Sequence, residues 1–228
     1  MKTIAVIGAM PSELADIRAY FSDKNTEIVK HCGFDFNINY IGDKKIVNVF
    51  CGVSKVNAAI CTQILIDKFE ADAVINTGIS GGMDESVKVC DIVISDETSP
   101  HDVDLGFLEK YLPHCSSFKA DKTLINYAVK SCEKMNYTYH VGKIVSGEAF
   151  ISDNNVKNDI KKRLNPFAVD METSAIGHCA YVNKVPYISI RCISDNADDD
   201  GAMSFEEFEK IAAKRVADVV ISILNSIE

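Results

Sequence analysis

Glu13, Glu172 and Asp195 each stand where an apolar run of this 228-residue sequence gives way to a turn or a helix. Carboxyl groups gathered at one sheet edge suit the cleavage of a glycosidic bond, which needs an acid for the leaving group, a base for water and acceptors that hold the sugar. Each also has an ordinary structural role open to it. Glu13 falls about three residues into a helix, where a carboxylate favours the dipole and the unpaired N–H groups. Glu172 opens a helix before the small residues Thr173, Ser174 and Ala175, and Asp195 could close an Asx turn in the polar loop that begins at Ser194. Phe150, beside the Gly147 turn, is either a core aromatic or a ring that stacks on a flat base. The constellation points to chemistry; its members taken singly do not.

Such residues need a frame that brings distant segments together. Short β-rich runs alternate with amphipathic segments, and strands are expected near residues 3 to 8, 34 to 41, 44 to 51, 72 to 77, 87 to 95, 139 to 146, 167 to 171 and 186 to 193. Helices are expected near 11 to 22, 54 to 69, 121 to 135, 153 to 163, 173 to 183 and 204 to 226. Gly42-Asp43 reads as a hairpin turn, which places an antiparallel pair in an otherwise βαβ pattern. The fold class is therefore α/β, a single domain over residues 1 to 228 on a mixed β-sheet flanked by helices. Ligands of open α/β sheets collect beyond the carboxyl ends of the strands, where this chain delivers Gly8–Glu13, Asn76–Gly82, Ser146–Ile151, Val169–Glu172 and Ser194-Asp195. Thr77–Gly82 is expected to be a strand-to-turn element whose backbone N–H groups approach a ligand closely.

Composition removes several classes of function. With 47% hydrophobic and 25% charged residues the chain is neither disordered nor collagenous. Lys plus Arg number 24 against 33 Asp plus Glu, a net charge of -9 that opposes phosphate-backbone binding, so no nucleic acid partner is expected. Arginine is confined to positions 18, 163, 191 and 215, too few forks for a substrate with several phosphates. No run approaches the roughly 18 apolar residues of a membrane span, and the apolar N-terminus is too short for a signal segment. No membrane partner is expected, and the location is expected to be cytoplasmic. The 8 cysteines are scattered singly, never as C-x-x-C, which fits free and often buried thiols in a reducing compartment.

Known site signatures are also missing. Glycines at 78, 81 and 82 fit neither the dinucleotide fingerprint nor a Walker loop. Asn196, Asp198, Asp200, Gly201 and Glu207 mimic the spacing of a calcium loop, but a strand rather than a helix leads into them. His31, His101, His114, His140 and His178 lack ligand spacing, and there is no nucleophile elbow or Cys-His pairing, so neither a metal nor a covalent nucleophile is expected. His101-Asp102-Val103-Asp104 is expected to begin a solvated loop.

In order along the chain, Ile7–Met10 with Glu13, Gly52–Ala59, Asn76–Gly78 with Gly81-Gly82, Asp91–Glu97 with His101-Asp102, Val145–Ile151, Asp170–Glu172 and Arg191–Asp195 with Ser204-Phe205 form a pattern. It resembles the 5'-methylthioadenosine/S-adenosylhomocysteine nucleosidase family, within the purine nucleoside phosphorylase-like superfamily, over almost the whole chain. The resemblance implies a partly barrel-like α/β domain, a homodimer and no cofactor. The implied reaction is hydrolysis of the N-glycosidic bond of 5'-methylthioadenosine and S-adenosylhomocysteine, with 5'-deoxyadenosine a further candidate. It further implies that Glu13 activates the attacking water, that Asp195 protonates N7 of the departing adenine with Ser194 positioning it, and that Glu172 accepts hydrogen bonds from the ribose hydroxyls. Met171 is implied to pack on the ribose, Phe150 to stack near adenine, the Ile151 backbone to read the purine edge and Arg191 to support the carboxylates. Ala9, Ile79, Gly81 and Phe205 complete the implied substrate-binding set.

Such chemistry requires Asp195 to keep a proton at neutral pH, which burial or a neighbouring carboxylate would allow. Bacterial phosphorylases of the superfamily carry Gly-Asp-Pro-x-Arg after the first strand, whereas Ala9-Met10-Pro11-Ser12-Glu13 puts there a carboxylate that repels phosphate and suits water. Phosphorolysis and a non-catalytic nucleoside-binding protein on the same fold are the alternatives. The sequence departs from the family pattern at Ile79-Ser80 and in a shorter loop from His101 to Pro113. In the family that loop reaches the neighbouring subunit's site and closes over the 5'-alkylthio group.

Overall fold

A computed structural model describes residues 1–22, 26–198 and 201–227, with side chains from residue 205 onward in the last segment. Asp200 of the calcium-like spacing, and the side chain of Ser204, lie outside the described residues.

The most apolar runs become the inner strands. β1 (Thr3–Gly8), β5 (Ala73–Gly82) and β10 (Tyr187–Asp195) are buried along nearly their whole length, as expected for strands covered on both faces. Parallel pairing runs β4–β1–β5–β10, where β4 is Lys44–Phe50. β10 then pairs antiparallel with β6 (Ile92–Pro100), and β6 pairs parallel with β8 (Tyr139–Ser146). β8 pairs with β9 (Ala168–Asp170), which returns antiparallel to β5. The circuit β5–β10–β6–β8–β9 is thus closed, and β1, β4, β3 (Phe34–Ile41) and β2 (Glu27–His31) extend from it as an open wing. The short β7 (Phe118–Lys119) pairs with β6. The mixed, partly barrel-like sheet of the α/β expectation is present, and the β3–β4 hairpin turns at Gly42, where φ is +59°.

Helices cover both faces. α1 (Pro11–Tyr20) has proline in its first turn, where the missing N–H costs nothing. α2 (Lys55–Asp67) is capped by Ser54, and α4 (Lys122–Met135) and α5 (Asn154–Leu164) by Asp121 and Asp153. α7 (Gly201–Ser226) packs with α1 and α4 over β5 and β10, around Ile17, Ile75, Ile190, Val216 and Val220. α2 and α6 (Thr173–Asn183) cover the other face, around Phe36, Val47, Leu65, Val74 and Ile176. Cys51, Cys61, Cys132 and Cys192 are buried, Cys32 is exposed, and all 8 cysteines are free thiols.

The structure corrects several sequence boundaries. The strand expected near 87 to 95 is β6, which starts at Ile92. Val87 and Val89 instead pack with Val93 from a turn that Asp91 closes by accepting the Lys88 N–H. Thr77–Gly82, expected to turn away from the strand, stays in β5 because β10 pairs with it and β9 takes its end at Gly81 and Gly82. β2, β7 and α3 (Leu105–Lys110) were not expected from the sequence. β2 is largely exposed, β7 has two residues and α3 has no buried residue, so none carries a period to read.

Candidate active site

The carboxyl ends of β1, β8, β9 and β10 and the far end of β5 open on one cavity of about 240 Å³. Glu13, Glu172 and Asp195 all line it, together with Ala9, Ile79 and Gly81. Phe150, Met171, Ser194 and Phe205 complete the part of its lining that the sequence singled out. Ile151 lies in an adjoining recess shared with Gly81, Phe150 and Asp195. Arg191 lines neither; its side chain is fully buried beneath the carboxylates.

Glu13 sits at the third position of α1 and does serve as a cap. Its Oε2 accepts the N–H groups of Ala9 at 2.5 Å and Met10 at 2.9 Å. Its Oε1 reaches across to accept the Ile79 N–H of β5 at 3.0 Å and lies 3.5 Å from Arg191 Nη1. Burial raises its pKa above the usual carboxylate range, against the lowering effects of Arg191 and the three N–H groups. Structural and chemical roles therefore coexist at this residue.

Glu172, by contrast, does not cap the helix it precedes. Asp170 does so: its Oδ1 accepts the N–H groups of Glu172 and Thr173 at 3.3 and 3.2 Å. The Glu172 carboxylate is left to accept the Ser54 N–H at 3.1 Å and to face Arg191 Nη2 at 3.5 Å. Burial pushes its pKa up to about 8, with Asp170 and Glu13 adding to the shift and Arg191 opposing it.

Arg191 binds Asp170 most closely, with Nη2 at 2.7 Å from Oδ2; the same Nη2 faces Glu172, and Nη1 faces Glu13. Its Nε and Nη2 reach Thr173 Oγ1, each at 3.3 Å, and that hydroxyl donates to Asp170. Burial alone would lower the guanidinium pKa, but Asp170, Glu13 and Glu172 together raise it. One permanent cation thus serves three buried carboxylates, and burial, joined at Glu172 by the charge of Asp170 and Glu13, raises the proton affinity of Glu13 and Glu172. Gly78 makes room for this cluster. With φ at +156°, a Cβ there would fall 2.2 Å from both Arg191 Nη1 and Glu13 Oε1.

Asp195 ends β10 next to a bulge: Ile193 pairs with Ser80 and Asp195 with Gly81, so Ser194 is the extra residue. The bulge re-aims the strand end, and both Ser194 and Asp195 line the cavity. Asp195 Oδ2 is 2.8 Å from Ser194 Oγ, and Oδ1 accepts the Ala197 N–H at 2.8 Å, which is the Asx turn the loop sequence suggested. Burial raises the Asp195 pKa despite the lowering effects of the Ala197 N–H and the Ser194 hydroxyl. Gly81 lies close under it, for a Cβ there would be 3.0 Å from Asp195 Oδ1 and 2.8 Å from the Ala197 Cβ.

Asp170 and Thr173 escaped the sequence reading. The available signal was chemical: a lone arginine within an apolar strand needs carboxylate partners, and Asp170 stands two residues before the candidate Glu172. Of the solvated loop expected at His101 to Asp104, Asp102, Val103 and Asp104 are exposed as expected, and only the first residue departs. His101 is buried, its ring lying against Gly147, and Asp102 pairs with Lys55. Among the described residues no group of His, Cys, Asp and Glu is placed to hold a metal ion.

The pattern of the phosphorylase superfamily matches residues 3–225. The chain is 38% identical over 231 residues to the 5'-methylthioadenosine/S-adenosylhomocysteine nucleosidase of Actinobacillus succinogenes, covering 99% of each protein. It is 36% identical over 230 residues to that of Bacillus licheniformis, covering 98% of this chain and 99% of the relative. The Neisseria meningitidis nucleosidase, solved in complex with methylthio-immucillin-A, is similar at a TM-score of 0.94 with 35% identity and full coverage of both chains.

Proposed function

The chain belongs to the 5'-methylthioadenosine/S-adenosylhomocysteine nucleosidases of the phosphorylase superfamily, and from that membership we propose how its own residues hydrolyse the N-glycosidic bond of those adenosine thioethers. Asp195, protonated, gives its proton to N7 of adenine, so the base departs neutral. The bond between C1' and the purine nitrogen breaks with its electron pair going to the base, and positive charge grows on the ribose ring. Asp170 and the ionised Glu13 place negative charge beside it, and Glu172 adds to that potential once it loses its proton. Glu13 takes a proton from the water that adds to C1', giving free adenine and the thioribose. Glu172 receives the ribose 2' and 3' hydroxyls, Met171 packs on the sugar, and Phe150 and the Ile151 backbone hold the purine.

The observation that carries this reading is the buried Asp195 carboxyl, raised in pKa and opening on the same cavity as Glu13 and Glu172. A carboxyl group whose affinity for its proton is raised by burial is what an adenine leaving group needs. A buried Glu13 with raised pKa is matched to accept a proton from water, and its negative charge disfavours a phosphate nucleophile. The test is adenine release from 5'-methylthioadenosine in phosphate-free buffer, with the sugar product identified. Phosphate-independent release of free methylthioribose is expected; turnover only with phosphate, yielding a sugar 1-phosphate, overturns the role of Glu13.

The same reading includes a homodimer in the cytoplasm. Val56 and Ile60 of α2, Phe107 of α3, Tyr111 and Leu112 just after it, and Val182 of α6 are all exposed side chains with large apolar surfaces. A groove of about 610 Å³ runs between α2 and α6, with Val56, Val103, Leu108 and Val182 in its walls. Apolar surface of this kind marks an interaction face, and a second copy of the chain fits a self-complementary patch. Light scattering that gives a monomer at micromolar concentration would remove the homodimer from the proposal.

A further inference from the structure

Outside the carboxylate cluster, a closed triangle of polar contacts joins three segments at the mouth of the site. The Asp102 carboxylate pairs with the Lys55 ammonium through Oδ1 and accepts the Glu148 N–H at 2.9 Å through Oδ2. The Glu148 carboxylate in turn accepts the Lys55 N–H at 3.0 Å. The triangle lies at the surface, with Asp102 and Glu148 exposed and Lys55 half-buried, but the Lys55 and Asp102 side chains are only 17% and 28% exposed, so their pairing is less screened than a fully exposed bridge. Burial would raise the Asp102 carboxyl, but the Lys55 ammonium and the Glu148 N–H outweigh it and hold it below the usual range.

The triangle joins the start of α2 to the loop that follows β8. Ser54 and Lys55 open α2; the Ser54 N–H goes to Glu172, and the next N–H, of Lys55, goes to Glu148. Two residues beyond Glu148, Phe150 reaches the main cavity and meets Phe205 edge-on at 5.8 Å between ring centres. The loop is pinned at its start as well. Gly147 donates to the Asp170 carbonyl at 3.1 Å, and a Cβ on it would lie 2.3 Å from His101 Nε2, so only glycine lets the loop lie against residue 101. Lys55 and Glu148 also face the groove between α2 and α6, while Val53 and Phe150 face the active cavity, so the triangle forms the wall between them.

We propose that Lys55, Asp102 and Glu148 form a latch that positions Phe150 over the purine end of the cavity and ties that loop to the helix terminus holding Glu172. None of the three touches the reacting atoms; they are positioning residues, and the proposal rests on Phe150 stacking on the base. Phe150 is 46% exposed, so its stacking geometry depends on the backbone that the latch holds.

The test measures adenine affinity by calorimetry, with kcat and KM for 5'-methylthioadenosine and a thermal melt, on the full chain. Glu148→Ala and Asp102→Ala are expected to weaken adenine binding and raise KM by about tenfold each while kcat falls less than threefold. Glu148→Gln, which keeps an acceptor for the Lys55 N–H, restores binding to within about threefold of the parent. In a Phe150→Leu background Glu148→Ala adds no further loss, because the latch acts through that ring. Adenine affinity and KM unchanged in folded Glu148→Ala and Asp102→Ala proteins, with Phe150→Leu weakened, overturns the latch alone. Unchanged affinity in Phe150→Leu overturns the stacking reading and the latch with it. Equal losses for Glu148→Ala and Glu148→Gln, or a lowered melting temperature with no change in KM, reduces the triangle to a structural contact and overturns the proposal.

Discussion

Replacing Gly78 by alanine is the sharpest test of the buried cluster, because it adds one methyl group and no charge. The new Cβ would lie 2.2 Å from Arg191 Nη1, 2.2 Å from Glu13 Oε1 and 2.7 Å from Glu13 Cδ. Opening such contacts to about 3.2 Å means moving the two side chains by roughly 1 Å. Neither can yield cheaply. Glu13 is held by the N–H groups of Ala9, Met10 and Ile79, and Arg191 by Asp170 and Thr173, with 2% and 0% of the two residues exposed. Overpacking of this sort costs about 1–3 kcal/mol, and pushing apart a buried ion pair adds to it. A loss of about 3 kcal/mol lowers the melting temperature of a chain of this size by roughly 6–12 °C. Displacing the water-activating carboxylate by about 1 Å costs on the order of 100-fold in rate. The assay is adenine release at saturating 5'-methylthioadenosine beside a thermal melt in the same buffer. A Gly78→Ala protein that keeps kcat within threefold of the parent would refute the claim that Glu13 must stay where Arg191 and Ile79 hold it.

Other substitutions probe the remaining roles. Asp195→Asn keeps the Ala197 hydrogen bond but has no acid proton to give, so the rate should fall by about 10²–10⁴ while substrate still binds; a near-normal rate in single-turnover assays counts against the acid assignment. Asp170→Asn keeps an acceptor for the Thr173 N–H and removes the charge closest to Arg191, so kcat should drop by about tenfold or more, and the Glu172 titration should move below about 8 because Asp170 raises it. Stability should also depend on pH with a definite sign. Glu172, Glu13 and Asp195 all have folded pKa values raised by burial, so their neutral forms favour the folded state fully below the ordinary carboxylate value of 4.5 for Glu172, and that stability is lost as pH rises through about 8. The melting temperature of the ligand-free protein should therefore fall across that window, and Glu172→Gln should flatten the slope; a melting temperature that rises there shows that the three groups are ionised in the folded protein.

Local chemistry in the sequence specified much of this molecule. The apolar runs 3 to 8, 72 to 77 and 186 to 193 have one stable use, as strands covered on both faces, and the Ser54, Asp121 and Asp153 caps fix helix starts without help from the rest of the fold. Glu13 and Asp195 were legible as candidates because each follows such a strand, and Glu172 because it follows the short run 167 to 171; the family pattern supplied their implied roles. What the sequence leaves undetermined is how charge is shared between residues far apart along it. That Asp170 rather than Glu172 caps α6, that Arg191 lies under three carboxylates, and that Ser194 is the bulged residue beside Asp195 all depend on the pairing of β5, β9 and β10. Proton affinity follows from that pairing as well, since desolvation and neighbouring charge are properties of position in space, which only closure of the sheet confers.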